Sequence, residues 1–315
     1  MAKQAVLLLA HGTPETVAQI SEYLSNVTGG RALPKEVVEE IQRRYALISR
    51  SPLTEITFEQ ARMAETELAV AGQPVPVYVA MRNWHPYIAD VVRQMRADGV
   101  EEAAVLCLAP QNSRTSVGLY RRALETAVAS EAAGLRIDFT ISWAQHPYLI
   151  DAFVERLRPA WSKFSAEVGA PVPVLFTAHS VPTRTLQSSE GQSADPYAEE
   201  ARRTAELVAN QMPNIPQWWF AFQSQGASGG PWLGPTVEET LQFIAASGAR
   251  TVLLQPIGFL CDHVEILYDV DIFFREYAQK LNLRLERTRS LNESILLAKA
   301  IADLARQGLK RLSRP

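Results

Sequence analysis

The chain has 315 residues, of which 47% are hydrophobic and 21% charged, and its formal net charge at pH 7 is −3. This length leaves room for two domains that each bury a core. Apart from a short RLSRP tail there is no basic run, so the electrostatic footprint of a nucleic-acid-binding protein is excluded.

Apolar runs alternate with amphipathic patterns along the first half of the chain. Strands are predicted at residues 5–10, 75–81, 103–108 and 136–142, with helices over residues 36–48 and 115–133. In the second half, strands are predicted at residues 172–177, 217–222, 251–257 and 283–287, with helices over residues 197–212, 236–248 and 263–281. Alternating strands and helices favour parallel sheets with right-handed crossovers.

A repeated motif indicates that the two halves arose by duplication. VLLLAHGTP at residues 6–14 is matched by VLFTAHSVP at residues 174–182, with a histidine at the same place in each. Ligands of open α/β sheets bind beyond the carboxyl ends of the strands. His11 and His179 are therefore expected on two sides of one cleft.

The predicted fold class is α/β, with two doubly wound, Rossmann-like domains of four parallel strands each. We place the domains at residues 1–148 and 149–289, with the seam near residues 146–152. A last helix at residues 292–309, within the segment 290–315, is expected to pack on the first domain. Loops at residues 183–196 and 223–235, which are rich in Ser, Gly and Gln, are functional candidates because loops this long are uncommon in compact domains.

Cysteine content and hydropathy indicate the cell compartment. Cys107 and Cys261 are far apart and form neither a disulfide framework nor a CxxC metal motif. The apolar run at the N-terminus is too short for a secretory signal, and no segment approaches the roughly eighteen apolar residues of a membrane span. We expect a cytoplasmic protein without a transmembrane segment.

Three titratable residues of the second half stand out. His179 comes at a strand end, where its imidazole can take a proton or bind a transition metal; a hydrogen-bonded core histidine is the alternative. Glu265 and Asp269 are four residues apart and share one face of the predicted helix. Asp262 and Glu265 also have the spacing of a capping box, which needs no catalytic role.

Eight segments together resemble the ferrochelatase family, the enzymes that insert ferrous iron into a porphyrin without ATP. The segments are AHGTPE, RRYALISRSPL, MRNWHP, APQNSRTSVGLY, TAHSVP, DPYAEEARRTA, FQSQGASGGPWLGP and GFLCDHVEILYDVD. The resemblance runs from about residue 6 to about residue 271. It implies an enzyme of haem biosynthesis that belongs to the lyases.

In the second half, the resemblance implies a catalytic pair. His179 and Glu265 match the histidine and glutamate that face each other in the porphyrin cleft, as proton acceptor or metal ligand, and Asp269 continues an acidic track as a secondary metal residue. A third acidic position of the family is Phe273 in this chain, so the track is shortened.

In the first half, the resemblance implies contacts with the propionates of the porphyrin. The matching residues are Arg31, Arg44, Tyr45 and Ser51, while Tyr120 matches another position that contacts the substrate. Arginine suits this role because it binds carboxylates bidentately. Two departures weaken the match, because Thr28 and Gly29 replace a basic pair and the loop before Ser51 is one residue short.

His11 departs from the tyrosine that is common at this position in coproporphyrin-dependent ferrochelatases. It is expected to bind the substrate ring or its iron. The same AHG turn resembles the strand-end histidine of cobalt and nickel chelatases that act on sirohydrochlorin-type rings. A non-catalytic haem- or tetrapyrrole-binding protein is a further alternative, although it would not need both His179 and Glu265.

The family resemblance also implies substrates and partners. Porphyrin and Fe²⁺ are the expected partners, with transient contact to neighbouring enzymes of the haem pathway. The connection GGRALPKEVVEEI is short and lacks the apolar, basic lip of membrane-associated members, which favours coproporphyrin III over protoporphyrin IX. No cofactor is expected, and two cysteines do not provide an iron–sulfur cluster.

Overall fold

The chain folds into two compact units. The first comprises Met1–Ala46, Arg50–Trp143 and Asn292–Pro315, and the second comprises Leu47–Ser49 and Ala144–Leu291. The structure is a computed structural model that describes residues 2–187, 194–226 and 230–314. The predicted loops at residues 183–196 and 223–235 are therefore described in part, since residues 188–193 and 227–229 lie outside the described residues.

The first unit contains a four-stranded parallel sheet in the order β2-β1-β3-β4. Its strands are β1 Gln4–Ala10, β2 Val77–Met81, β3 Glu102–Cys107 and β4 Arg136–Thr140. The interior residues of β1 are at most 1% exposed, because this strand lies between two others and helices cover both faces of the sheet. That burial is the physical reason for the unbroken apolar run in the sequence.

The second unit contains a sheet of the same topology, with the order β6-β5-β7-β8. Its strands are β5 Val174–His179, β6 Trp218–Gln223, β7 Thr251–Pro256 and β8 Arg284–Arg287. The repeated motif occupies the corresponding inner strand of each sheet. The prediction of two duplicated, Rossmann-like sheets is confirmed.

Ten α-helices are described, together with one π-helix. They are α1 Ile20–Thr28, α2 Lys35–Leu47, α3 Leu53–Val70, α4 Ile88–Ala97, α5 Val117–Glu131, α6 Pro147–Val168, α7 Tyr197–Asn210, α8 Val237–Ala246, α9 Arg275–Lys280 and α10 Ile295–Leu312. The π-helix, Glu265–Phe274, leads directly into α9. None of the described helices is long and apolar enough to cross a membrane.

Helix α10 is anchored to the first sheet by side chains. Nη2 of Arg311 lies 2.6 Å from Oδ1 of Asp138 on β4, and Nη1 of Arg136 donates to the carbonyl of Leu312 at 3.1 Å. At its other end, Ser294 caps the helix by accepting from the backbone N–H of Leu297. The helix therefore runs from residue 295 to 312 rather than over the predicted 292–309.

Two further details differ from the predictions. Strand β5 ends at His179 instead of residue 177, because His179 pairs with Gln223 of β6 and the ladder continues with Ser180 N–H donating to the Gln223 carbonyl at 2.7 Å. The predicted helix at residues 263–281 is α-helical only from residue 275, since its first ten-residue segment is the π-helix. Wide π turns are rare and occur often at functional sites.

Candidate active site

The carboxyl end of β5 places His179 beside a close approach of two strands. A Cβ atom at Gly258, two residues after β7, would lie 2.8 Å from both Cα and Cβ of Ala178. Such a contact is shorter than any real Cβ packing distance, so this position needs glycine. The close approach brings the segment that leads into the π-helix alongside the strand end that carries His179.

His179 and Glu265 form the central pair of the site. Nε2 of His179 lies 3.4 Å from Oε1 of Glu265, and the two side chains are 34% and 32% exposed. Nδ1 of His179 is hydrogen-bonded to the carbonyl of Ser180. Because a carbonyl only accepts, Nδ1 carries a proton, and Nε2 is the nitrogen that gains and loses one.

The pair is electrostatically coupled. Burial of the imidazole acts to lower the pKa of His179, but the Glu265 carboxylate outweighs burial and raises that pKa above its ordinary value. Burial of Glu265 acts to raise its pKa, but the electrostatic attraction of the neighbouring His179 and His263 imidazoles outweighs burial and holds that pKa well below the usual range. The arrangement stabilises an imidazolium next to a carboxylate.

His263 is a residue of this site that the sequence analysis missed. Its Nε2 lies 3.8 Å from Oε2 of Glu265, and its Nδ1 donates to the carbonyl of Cys261 at 3.0 Å. The ring of Phe259 packs against both imidazoles, with centroid distances of 6.1 Å to His179 and 4.6 Å to His263. The available signal was the spacing His-Val-Glu, which puts an imidazole two residues before the carboxylate.

Asp269 belongs to the same cluster through the end of β6. Oδ2 of Asp269 accepts a hydrogen bond from the hydroxyl of Ser224, and the Asp269 side chain is buried. The preceding residue, Gln223, accepts from the Thr177 hydroxyl at 2.7 Å and donates to the Glu265 carbonyl at 3.4 Å. Polar groups of β5, β6 and the π-helix thus meet at one edge of the sheet.

Tyr197 is hydrogen-bonded to the backbone at the strand end that carries His179. Its hydroxyl donates to the backbone carbonyl of His179 at 2.8 Å, and its ring is 6% exposed. Burial raises the pKa of Tyr197, so the phenol stays protonated and remains a donor. It fixes the strand end rather than the imidazole itself.

The capping box, the alternative reading of Asp262 and Glu265, does not form. The π-helix has Val264 at its N-cap position and no side-chain cap. Asp262 instead accepts from the Ser290 hydroxyl at 2.7 Å and lies 3.3 Å from the guanidinium of Arg287. This long-range pairing occupies Asp262, which leaves the Glu265 carboxylate directed to the two histidines.

Phe273 stands where the family's acidic track would continue. Its ring is 40% exposed and packs against Phe274 and Tyr277 at centroid distances of 5.5 and 6.4 Å. The nearby Asp271 is taken up by a bidentate pair with Arg287, with nitrogen–oxygen distances of 2.6 and 2.7 Å. Neither residue extends the cluster formed by Glu265 and Asp269.

In the first unit, His11 follows β1 and is held by neutral groups. Its Nε2 is 3.0 Å from the amide nitrogen of Asn83, while its Nδ1 is 3.0 Å from the Tyr23 hydroxyl and 3.1 Å from the Gly12 carbonyl. Because the Asn83 amide donates, Nε2 accepts and Nδ1 carries the proton. These partners fit a neutral imidazole.

The residues expected to bind propionates have unequal surroundings. Nε of Arg44 is 2.9 Å from Oε1 of Glu40, and hydrogen bonds from Arg43 and Arg44 lower the pKa of Glu40 to about 2. The Tyr45 hydroxyl is 3.0 Å from that of Thr13, two residues after His11. The Ser51 side chain is 2% exposed, and its hydroxyl oxygen has no hydrogen-bond partner within the described ranges.

Arg31 and Tyr120 complete the predicted set. Arg31 follows the glycine pair at the end of α1 and is exposed, with its carbonyl accepting from the Thr28 hydroxyl at 2.7 Å. Tyr120 lies in the first turns of α5 and is 5% exposed. Within the described parts of the chain, no group of three or more histidine, cysteine or acidic side chains is arranged to hold a metal ion.

Comparison with known proteins identifies the family of the chain. The family model for ferrochelatase matches residues 3–309. A ferrochelatase from Acidobacterium capsulatum is 53% identical over 98% of this chain and 96% of its own length. A coproporphyrin III ferrochelatase from Mycolicibacterium vanbaalenii is 33% identical over 96% of this chain and 89% of its own.

Among solved structures, the fold is similar to the sirohydrochlorin chelatase SirB from Bacillus subtilis subspecies spizizenii in complex with cobalt. The TM-score is 0.58 at 14% identity, over 97% of this chain and 94% of the other. This likeness concerns the fold alone. On the sequence matches, the chain belongs to the ferrochelatase family, whose enzymes insert a metal ion into a porphyrin.

Proposed function

We propose that this enzyme inserts Fe²⁺ into coproporphyrin III in haem biosynthesis, with His179 as the proton acceptor. The observation that carries the proposal is the 3.4 Å separation between Nε2 of His179 and Oε1 of Glu265. A carboxylate at this place stabilises the imidazolium that forms when Nε2 takes a proton. A histidine built only to ligate metal would gain nothing from that stabilisation.

The proton balance of the reaction explains the residue types. Metal insertion releases two protons from the pyrrole nitrogens for each Fe²⁺ that enters the ring. One proton goes to Nε2 of His179, whose other nitrogen is held by the Ser180 carbonyl. We assign the second proton to Nε2 of His263, which faces the second oxygen of Glu265, and both protons then pass to solvent at the 32% exposed Glu265 side chain.

Iron is a substrate in this scheme. Imidazole and carboxylate are ligands that Fe²⁺ accepts, and Asp269 adds a second carboxylate close to the pair. We assign Glu265 and Asp269 to guiding the dication, with the Ser224 hydroxyl holding Asp269 in place. Exchange of these ligands for pyrrole nitrogens then requires no resident metal centre.

Substrate binding is assigned to residues of the first unit. His11 contacts the ring as a neutral imidazole held by Tyr23 and Asn83. Ser51 provides a buried hydroxyl that has no hydrogen-bond partner in the described structure, and a propionate oxygen would supply one. Arg31, Arg44, Tyr45 and Tyr120 are proposed as the other substrate contacts.

Coproporphyrin III is favoured over protoporphyrin IX on two grounds. The relatives from Mycolicibacterium vanbaalenii and Geobacillus sp. are coproporphyrin III ferrochelatases, at 33% and 30% identity. The connection between α1 and α2 is short and carries no apolar lip. We further propose a cytoplasmic enzyme that uses no iron–sulfur cluster, because the chain has two cysteines and both are free; transient contact with neighbouring pathway enzymes stays a prediction.

The test is an anaerobic metallation assay with the full chain. Purified protein is mixed with Fe²⁺ and coproporphyrin III, protoporphyrin IX or sirohydrochlorin, and the Soret and Q bands are followed. The expected order of kcat/KM is coproporphyrin III, then protoporphyrin IX, with no turnover of sirohydrochlorin. Turnover of sirohydrochlorin alone would support the cobalt and nickel chelatase alternative, and binding without turnover of any ring would support a non-catalytic tetrapyrrole binder.

A further inference from the structure

Arg82 is placed beside His11 by backbone hydrogen bonds. It directly follows β2, and its N–H donates to the carbonyl of Ala10 at 2.9 Å, while the N–H of Asn83 donates to the carbonyl of His11 at 3.0 Å. Arg82 therefore lies at the carboxyl edge of the first sheet. This is the edge at which parallel α/β sheets bind their ligands.

Among the residues that the structure describes, the guanidinium of Arg82 has no anionic partner. Its central carbon lies 5.6 Å from the ring centroid of Tyr120, and its Nε is buried without a hydrogen bond in the described chain. No ion pair of the described residues includes Arg82. Buried donors of charged groups are nearly always satisfied, so an unpaired one at a ligand-binding edge calls for an explanation.

Other arginines of the molecule, unlike Arg82, form ion pairs with carboxylates. Arg44 is paired with Glu40 at 2.9 Å, and Arg287 with Asp271 at 2.6 Å. A substrate carboxylate that bound Arg44 would have to compete with Glu40. At Arg82 there is no such competitor among the described side chains.

The packing of Arg82 leaves the N–H groups of its guanidinium available to a carboxylate. Stacking on an aromatic ring uses the face of the guanidinium, whereas a carboxylate binds the N–H groups along its edge. The Tyr120 ring therefore packs against the Arg82 guanidinium without using its N–H donors. Two parallel N–H···O bonds to one carboxylate are the strongest interaction this fork makes.

We propose that Arg82 binds a carboxylate of the porphyrin and determines the preference for a tetra-carboxylate ring. This inference rests on the proposed function and deepens it. Dicarboxylate porphyrins such as mesoporphyrin IX carry both acid chains on one side of the ring, whereas coproporphyrin III carries acid chains on all four pyrroles. Arg44 and Ser51 lie on α2 and the loop after it, whereas Arg82 lies on the turn after β2, so we assign Arg82 to an acid chain other than those that Arg44 and Ser51 bind.

The experiment compares two rings in three variants. Arg82→Gln removes the charge and the fork, Arg82→Lys keeps the charge, and Arg121→Gln removes an exposed arginine next to Tyr120 whose partner is Glu125 at 2.8 Å. Dissociation constants for coproporphyrin III and mesoporphyrin IX are measured by porphyrin fluorescence without iron, and kcat and KM are measured with Fe²⁺. Circular dichroism verifies that each variant is folded.

For Arg82→Gln we expect coproporphyrin III binding to weaken roughly tenfold to a hundredfold, the range for losing charge-assisted hydrogen bonds. Mesoporphyrin IX binding should change less than twofold, and Arg82→Lys should recover part of the loss of coproporphyrin III binding. Arg121→Gln should match the wild type. Equal weakening for both rings, or none for coproporphyrin III, would overturn the proposal. Since the fluorescence titration needs no turnover, failure of the wild type to metallate porphyrin would refute the proposed function separately.

Discussion

His11 and His179 end corresponding strands of two similar sheets, yet their surroundings differ in kind. His179 has a carboxylate 3.4 Å from its titrating nitrogen. His11 has an amide and a phenol at 3.0 Å from its two nitrogens. The first environment stabilises a charged imidazole, and the second fits a neutral one.

The surroundings of the two histidines differ because other elements supply different partner residues to similar strand ends. Both strand ends are closely packed, since Gly12 and Gly258 each sit where a Cβ would come within 2.8 Å of a neighbouring atom. The two strand ends differ in the residues that other elements place beside each histidine. Glu265 comes from the π-helix after β7, whereas Tyr23 and Asn83 come from α1 and the turn after β2.

The largest expected effect tests the carboxylate partner of His179. Glu265→Gln keeps the side-chain shape but removes the charge, so kcat for coproporphyrin III should fall roughly a hundredfold to ten-thousandfold, the usual contribution of general acid–base catalysis. Stopped-flow absorbance of the Soret band measures it. Glu276→Gln, an exposed glutamate on α9, is the matched control and should retain wild-type kcat. A fall of less than fivefold for Glu265→Gln would disprove the role of the pair.

The pH dependence provides the next test. Glu265 raises the pKa of His179, and a base works only when deprotonated, so activity should decline toward low pH with a midpoint above the ordinary imidazole value of about 6.5. In Glu265→Gln, burial remains and the carboxylate is gone, which should move the midpoint of the residual activity downward. The readout is kcat/KM measured from about pH 5.5 to about pH 9. An unchanged midpoint in the variant would show that another group controls the profile.

More of the fold than of the site could be predicted from the sequence. Buried parallel strands produce continuous apolar runs, and this signal located all eight described strands to within two residues. The π-helix could not be predicted, because its apolar spacing also fits an α-helix. The alternative of Asp262 as a helix cap failed because the partner of Asp262, Arg287, is 25 positions away in the chain and leaves no local pattern.

The site was predicted where a residue type and a family motif coincided. His179 and Glu265 were found in this way, and the structure brings them together. His263, Asn83 and Arg82 were missed because their roles depend on which groups face them in three dimensions. An imidazole, an amide or a guanidinium in a loop has no distinctive periodicity.

A smaller effect is expected from the partners of His11. Asn83→Ala removes the amide donor to Nε2 of His11, so we expect the Soret maximum of bound iron product to shift toward that of an imidazole-ligated ring. The metallation rate should change by roughly twofold to tenfold, the size of one neutral hydrogen bond. The product complex is examined by absorbance and electron paramagnetic resonance. A hundredfold loss of rate would place proton transfer at His11 and reverse the comparison.

The smallest effect concerns stability rather than chemistry. Gly258→Ala places a Cβ 2.8 Å from Ala178 and should lower the free energy of unfolding by about 1–3 kcal/mol, as overpacking does. Urea denaturation followed by tryptophan fluorescence measures it. Gly118→Ala is the control, because its Cβ would meet only the Ser113 carbonyl at 3.5 Å and the residue lies in a helix. Equal stabilities for the two variants would mean that the strand ends are not packed as described.

The central claim is that proton transfer belongs to His179 and not to His11. Its most direct test is the single-turnover rate of Fe²⁺ insertion into coproporphyrin III in His179→Ala and His11→Ala, measured side by side under anaerobic conditions, with ring binding checked by fluorescence. We predict that His179→Ala loses at least about a hundredfold in rate while still binding the ring, and that His11→Ala stays within roughly tenfold of the wild type. Equal losses in the two variants, or a larger loss for His11→Ala, would contradict the account.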